Sequence, residues 1–209
     1  MVKIKLLKHK LTMIFKVCNE EVSEMAVDIS EAKRLAKALY DKTHDVKQAM
    51  ITGDVATDLD LITKGLQLKV FEIDMNDLRK KAKETDTDLD ENISGFLVRS
   101  NDQHAIFLNK KEPMIRKRFT IAHEIGHLKL NHLGDEEIST IFRDSTTSEG
   151  TYEKEVTANA FAAELLMPED LVRYAYNLLN SMSKIARAFG VSEIAVRNRL
   201  KNLGVIDNG

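Results

Sequence analysis

Arg118-Phe119-Thr120-Ile121-Ala122-His123-Glu124-Ile125-Gly126-His127-Leu128-Lys129-Leu130 decides how this 209-residue chain is read. The run predicts a helix over 116–132. On it Thr120, His123, Glu124, His127 and Asn131 fall on one side, while Ile121, Ala122, Ile125, Gly126, Leu128 and Leu130 cover nearly all the rest. A helix apolar over most of its circumference is buried, and a buried His-Glu-His stripe needs partners. Histidines four positions apart lie about one turn apart along the axis on one face, so they can clasp one metal ion. Core histidines bonded only to side chains would leave the buried Glu124 unexplained.

Imidazole ligands suit zinc, and a catalytic zinc site takes three protein ligands with a fourth position left open. The third ligand must come from elsewhere, and the helical segment 152–166 offers Glu153, Glu155 and Glu164. Glu155 shares a face with Ala158, Asn159, Ala162 and Leu166, all within roughly 60° of it, and so points inward. Glu153, Thr157 and Glu164 fall on the opposite side and are expected to be solvated. Asn159, one turn after Glu155, is placed to orient a ligand. Glu124 is then the general base, taking a proton from water acidified by the metal, and the implied reaction is amide hydrolysis. His132, Tyr152 and Tyr174 are the candidates for stabilising the oxyanion or donating a proton.

The rest of the chain bounds this reading. With 43% hydrophobic and 31% charged residues it is an ordinary globular composition, and a net charge of -2 supplies no global attraction for nucleic acid or membrane. One cysteine, Cys18, excludes an internal disulfide framework. No run approaches the ~18 apolar residues of a membrane span, and the apolar stretch from Leu11 to Phe15 is too short for a signal-peptide core. A cytoplasmic protein without membrane contact is expected.

Three segments are expected. Residues 1–52 form an extension with one clear helix, opened by Asp28 and Glu31 and carrying Ala32, Leu35, Ala36 and Leu39 on one face. Residues 53–170 hold the metal motif. In them Asp54 is expected to cap a helix ending at Gly65, an irregular strand follows through Leu68 and Val70, and Asp74 caps a short helix. Strand-like stretches at 93–98 and 105–108, joined by turn residues Ser100-Asn101-Asp102, predict a small antiparallel sheet. Residues 171–209 end in two short helices around Gly190-Val191-Ser192, a helix-turn-helix pattern. Five basic residues against Glu193 leave a local balance of +4 there, and Arg197, Asn198 and Lys201 are the candidates for facing DNA, although a structural role is preferred. Cys18 could reach the open metal position and hold the protein latent.

The motif Arg118-Phe-Thr-Ile-Ala-His-Glu-Ile-Gly-His, then Glu155, then Ala158-Asn159-Ala-Phe161-Ala-Ala-Glu164-Leu-Leu-Met-Pro168 resembles the ImmA/IrrE family of metalloendopeptidases over residues 53–207. The resemblance implies an α+β, zincin-like fold with a small sheet and a helical bundle. It implies Zn²⁺, or another divalent ion such as Mn²⁺, on His123, His127 and Glu155, with Glu124 as base. It also implies an intracellular protease whose substrate is a helix-turn-helix repressor or antitoxin, in a stress-response, mobile-element or toxin-antitoxin circuit. Family members often carry Glu where this chain has Thr157, and His where it has Asn131, here followed by His132. In related zinc peptidases the substrate pairs with an edge strand, which points to Gln103–Asn109 as the cleft edge. The alternative is a metal-binding regulator that acts on a partner or DNA without proteolysis.

Overall fold

The computed structural model describes residues 28–53, 55–84, 93–100, 103–133, 138–142 and 149–207. Cys18, Asp54, the Asn101-Asp102 turn and most of the acidic segment 84–91 lie outside the described residues. The elements are α1 (28–43), α2 (Val46–Thr52), α3 (Leu59–Gly65), β1 (Lys69–Ile73), α4 (Met75–Glu84), β2 (Gly95–Ser100), β3 (Gln103–Asn109), α5 (Met114–Lys129), β4 (Ile138–Phe142), α6 (Glu149–Leu166), α7 (Glu169–Leu179), α8 (Met182–Phe189) and α9 (Glu193–Asn202). The fold class is α+β.

Local chemistry sets many of the boundaries. Asp45 caps α2, a helix the periodicity did not reveal, by accepting from Lys47 and Gln48 N–H. Asp58 caps α3 through Leu61 N–H, so the cap sits closer to the helix than Asp54. Ser181 and Ser192 cap α8 and α9 in the same manner.

The four strands run in the order β1-β3-β2-β4. β2 is antiparallel to both β3 and β4, but β1 is parallel to β3, so the sheet is mixed rather than antiparallel. β3 therefore lies inside the sheet, hydrogen-bonded on both sides. Gln103–Asn109 is not the cleft edge that was expected; among the described residues β1 and β4 are the outer strands. The two faces alternate as a pleated sheet requires. Leu97, Ile106 and Leu108 enter the main core under α5, whereas Phe96, Val98 and Phe107 pack with Met75 and Ile93 on the other face.

The main core runs from Ala32 on α1 to Leu200 on α9, and α5 lies at its centre. Two glycines set how closely α5 is approached. A Cβ on Gly126 would sit 3.2 Å from the Cα and carbonyl oxygen of Ala158, so α5 and α6 touch backbone to backbone. A Cβ on Gly95 would sit 2.6 Å from Thr120 Cγ2 and 2.8 Å from the Phe107 carbonyl oxygen, which brings β2 onto the same helix. Among the described residues no helix is long and apolar enough to cross a membrane.

Candidate metal centre

His123 and His127 occupy successive turns of α5, and the close, antiparallel approach of α6 at Gly126 delivers Glu155 opposite them. The two Nε2 atoms are 2.9 Å apart. Glu155 Oε2 lies 3.3 Å from His123 Nε2, and its Oε1 lies 3.1 Å from His127 Nε2. One donor atom from each of the three residues falls within 4.8 Å of the others. Both imidazoles are buried, while the Glu155 side chain keeps 20% of its surface, so the cluster is open on the carboxylate side.

The ring nitrogens behind the cluster are occupied. His123 Nδ1 is 3.0 Å from Asn159 Oδ1, an acceptor, which makes Nδ1 the protonated nitrogen and leaves the Nε2 lone pair facing Glu155. His127 Nδ1 is 2.8 Å from His132 Nδ1, and His132 Nε2 is 3.4 Å from Thr157 Oγ1. The Thr157 hydroxyl donates to the Glu153 carbonyl at 2.9 Å. A single set of protons satisfies this chain: His127 Nδ1–H donates to His132, whose Nε2–H points to Thr157. Burial, together with the neighbouring His127 and Lys154, pushes the His132 pKa down to about 3, so the ring is neutral. Burial alone would raise the Glu155 carboxyl; positive charge at the Nε2 side, here the protonated forms of His123 and His127 donating to it, outweighs burial and holds the group well below the usual carboxylate range. With both rings neutral, a cation would take the place of those protons. Two imidazole lone pairs and a carboxylate aimed at one point are a donor set that a borderline divalent cation fits.

The position of His132 follows from how α5 ends. The helix stops at Lys129, not at 132, because Asn131 adopts the left-handed conformation at φ 53°. Asn131 N–H then bonds Leu128 O at 3.3 Å and His132 N–H bonds His127 O at 3.0 Å, which is the Schellman closure. That closure brings the third residue past the helix back against the third from its end. Here the pair is His132 and His127. Lys154 Nζ holds the same turn through the His132 carbonyl at 3.0 Å. An Asn at the end of a helical pattern is the signal that could have placed this histidine.

The other expected residues are distributed unevenly. Glu124 is buried on α5 between the two histidines. Tyr152 is exposed on α6, and Tyr174 lines a separate cavity with Ala49, Met50 and Leu178, away from the cluster. Glu164 and Thr157, expected in solvent, are buried. Glu164 pairs with Arg199 of α9, which also donates to the Met167 carbonyl at 3.1 Å. Arg197 and Asn198 are exposed and Lys201 is half-buried, but with Arg199 engaged in the core, one of the basic residues in that region is not available at the surface.

Comparison with known proteins places these features in a wider group. Residues 64–201 match the family model described as the IrrE N-terminal-like domain, peptidase family M78. A stretch of 97 residues is 34% identical to the radiation response metalloprotease IrrE of Deinococcus deserti, covering 46% of this chain and 32% of that protein. Another of 117 residues is 31% identical to the uncharacterized immunity region protein 2 of Bacillus phage phi105, covering 56% of this chain and 70% of that one. Among solved structures, a Mycobacterium tuberculosis transcriptional regulator superposes with a TM-score of 0.51 at 17% identity, over 82% of this chain and 47% of the other. The chain thus spans about a third of the Deinococcus protein's length and about half of the mycobacterial one's.

Proposed function

The chain belongs to the IrrE N-terminal-like family, and on that premise we propose that it is a metal-dependent endopeptidase whose substrate is a protein, specifically a helix-turn-helix transcriptional repressor or antitoxin. The observation that carries the reading is the convergence of His123, His127 and Glu155 beside the buried Glu124. His123, His127 and Glu155 hold the ion, with Zn²⁺ preferred over Mn²⁺ because two imidazoles join one carboxylate. When bound, the ion supplies Lewis acidity, polarising a carbonyl oxygen and acidifying water. Glu124 takes the proton from the attacking water as its oxygen bonds to the carbonyl carbon. It returns that proton to the amine nitrogen as the C–N bond breaks.

Asn159 and His132 are positioning residues. Each holds the Nδ1 of one histidine, fixing the ring and keeping the Nε2 lone pair on the ligand side. His132 therefore acts from behind His127, in place of the oxyanion role expected for it. A protein substrate is supported by the metalloprotease name of one relative; the repressor as target rests on the family resemblance of the sequence motifs.

The test is incubation of the zinc-loaded protein with the product of its neighbouring gene. Cleavage that chelator abolishes, and that Glu124→Gln abolishes while zinc stays bound, is the expected result. An intact partner under every metal condition would favour a regulator that works by binding alone.

A further inference from the structure

The face of α5 that bears the histidines continues toward the helix N-terminus. At about 100° per residue, Ile115, Phe119, Arg116 and Thr120 fall at roughly 0°, 40°, 100° and 140°, and His123 and His127 at roughly 80° and 120°. Those four residues form one wall of a cavity of about 330 Å³. Val191, Ser192 and Ala195, from the turn between α8 and α9 and the first turn of α9, form the other, and Pro113 closes the end. The lining is mainly apolar. Met114, Ile115 and Ile194, in or beside it along the chain, are exposed at 68%, 48% and 72%, more apolar surface than an isolated contact explains. Phe119 joins this cavity to the metal centre, since its ring centroid lies 6.1 Å from that of His123.

We propose that this cavity is a side-chain subsite of the peptidase, which receives a large apolar residue (Leu, Ile, Met or Phe) of the substrate within three positions of the scissile bond. The inference rests on the proposed metal centre and adds a sequence preference to it. The spacing agrees: Thr120 to Ile115 lie three to eight residues before His123, roughly 5–12 Å along the helix. An extended peptide advances about 3.3 Å per residue, so the second or third residue from the scissile bond spans that distance.

The probes are tripeptide hydroxamates, a chelating group carried on Gly-Gly-Gly with leucine substituted at the first, second or third residue. Two series run the peptide to either side of the chelator, and Kd for the zinc-loaded protein is measured by calorimetry. Leucine at one position is expected to tighten binding about tenfold or more, the effect of burying one such side chain. In Ile115→Glu, which puts a carboxylate on the wall, and in Ala195→Phe, which fills the cavity, the ratio of glycyl to leucyl Kd is expected to fall toward one. Leucine without effect at every position in both series overturns the subsite while leaving the metal centre standing. Failure of every hydroxamate to bind the zinc-loaded protein overturns the metal centre, and the subsite with it. The wild-type comparison decides the matter even if a variant does not fold.

Discussion

Replacing His132 by Ala tests whether the turn at the end of α5 controls metal affinity. The substitution removes the partner 2.8 Å from His127 Nδ1 and interrupts the chain to Thr157, while leaving all three ligand side chains in place. A neutral hydrogen bond contributes about 1 kcal/mol, roughly fivefold in an equilibrium constant, and the freed ring adds the entropy of a rotamer no longer held. Losses of this kind amount to about 10–100-fold in affinity. Because His127 keeps its buried position and its partner Glu155, the lower end, about tenfold, is expected. Zinc Kd would be read by competition with a chromophoric chelator, alongside the melting temperature of the metal-free protein. His132→Asn, which can offer an acceptor oxygen to His127 Nδ1, should recover part of the loss. A zinc Kd unchanged in His132→Ala, with the fold intact, would refute the positioning role. So would a loss explained entirely by a lower melting temperature of the metal-free protein.

Three further outcomes follow from the packing. Gly126→Ala places a methyl 3.2 Å from the backbone of Ala158 and should cost about 1–3 kcal/mol, seen as a lower urea midpoint, and should weaken zinc binding because Glu155 is carried on the displaced helix. Arg199→Met leaves the Glu164 carboxylate buried without its counter-ion and should cost about 3–5 kcal/mol, whereas the double substitution Arg199→Met, Glu164→Leu should recover most of it. Asp74 bonds Lys110, the Asn76 N–H and Lys111, which lower its pKa to about 2. Its contribution is therefore full above the unfolded carboxyl pKa near 4 and is lost as pH falls toward 2. Asp74→Asn should lower the urea midpoint at pH 6, and the difference from the wild type should shrink as pH falls to 2.

Much of this was legible along the chain because helices repeat every three to four residues. The inward face of α5 and the inward turn of Glu155 were both available from periodicity alone, and so was the helix at 28–43. Where the deciding contact was remote in sequence, the same reasoning failed. Glu164 looked like a surface carboxylate because its counter-charge, Arg199, lies 35 positions away on another helix. Neither β4 nor the inner position of β3 has a local mark, because strand order is set by which strands pair and not by any one strand's pattern. The parallel pairing of β1 with β3 has no local signal at all.

By itself, then, the sequence determined which residue types stand on which face of α5 and α6, since side-chain direction in a helix follows from 100° steps along the backbone. It also carried the donor set, two imidazoles and a carboxylate. Only the tertiary structure decided that the two faces meet, through the backbone contact at Gly126, and that His132 swings back behind His127 once Asn131 ends the helix. The physical reason is that local rules specify orientation, whereas distance between segments far apart in the chain is settled by how closely their surfaces pack.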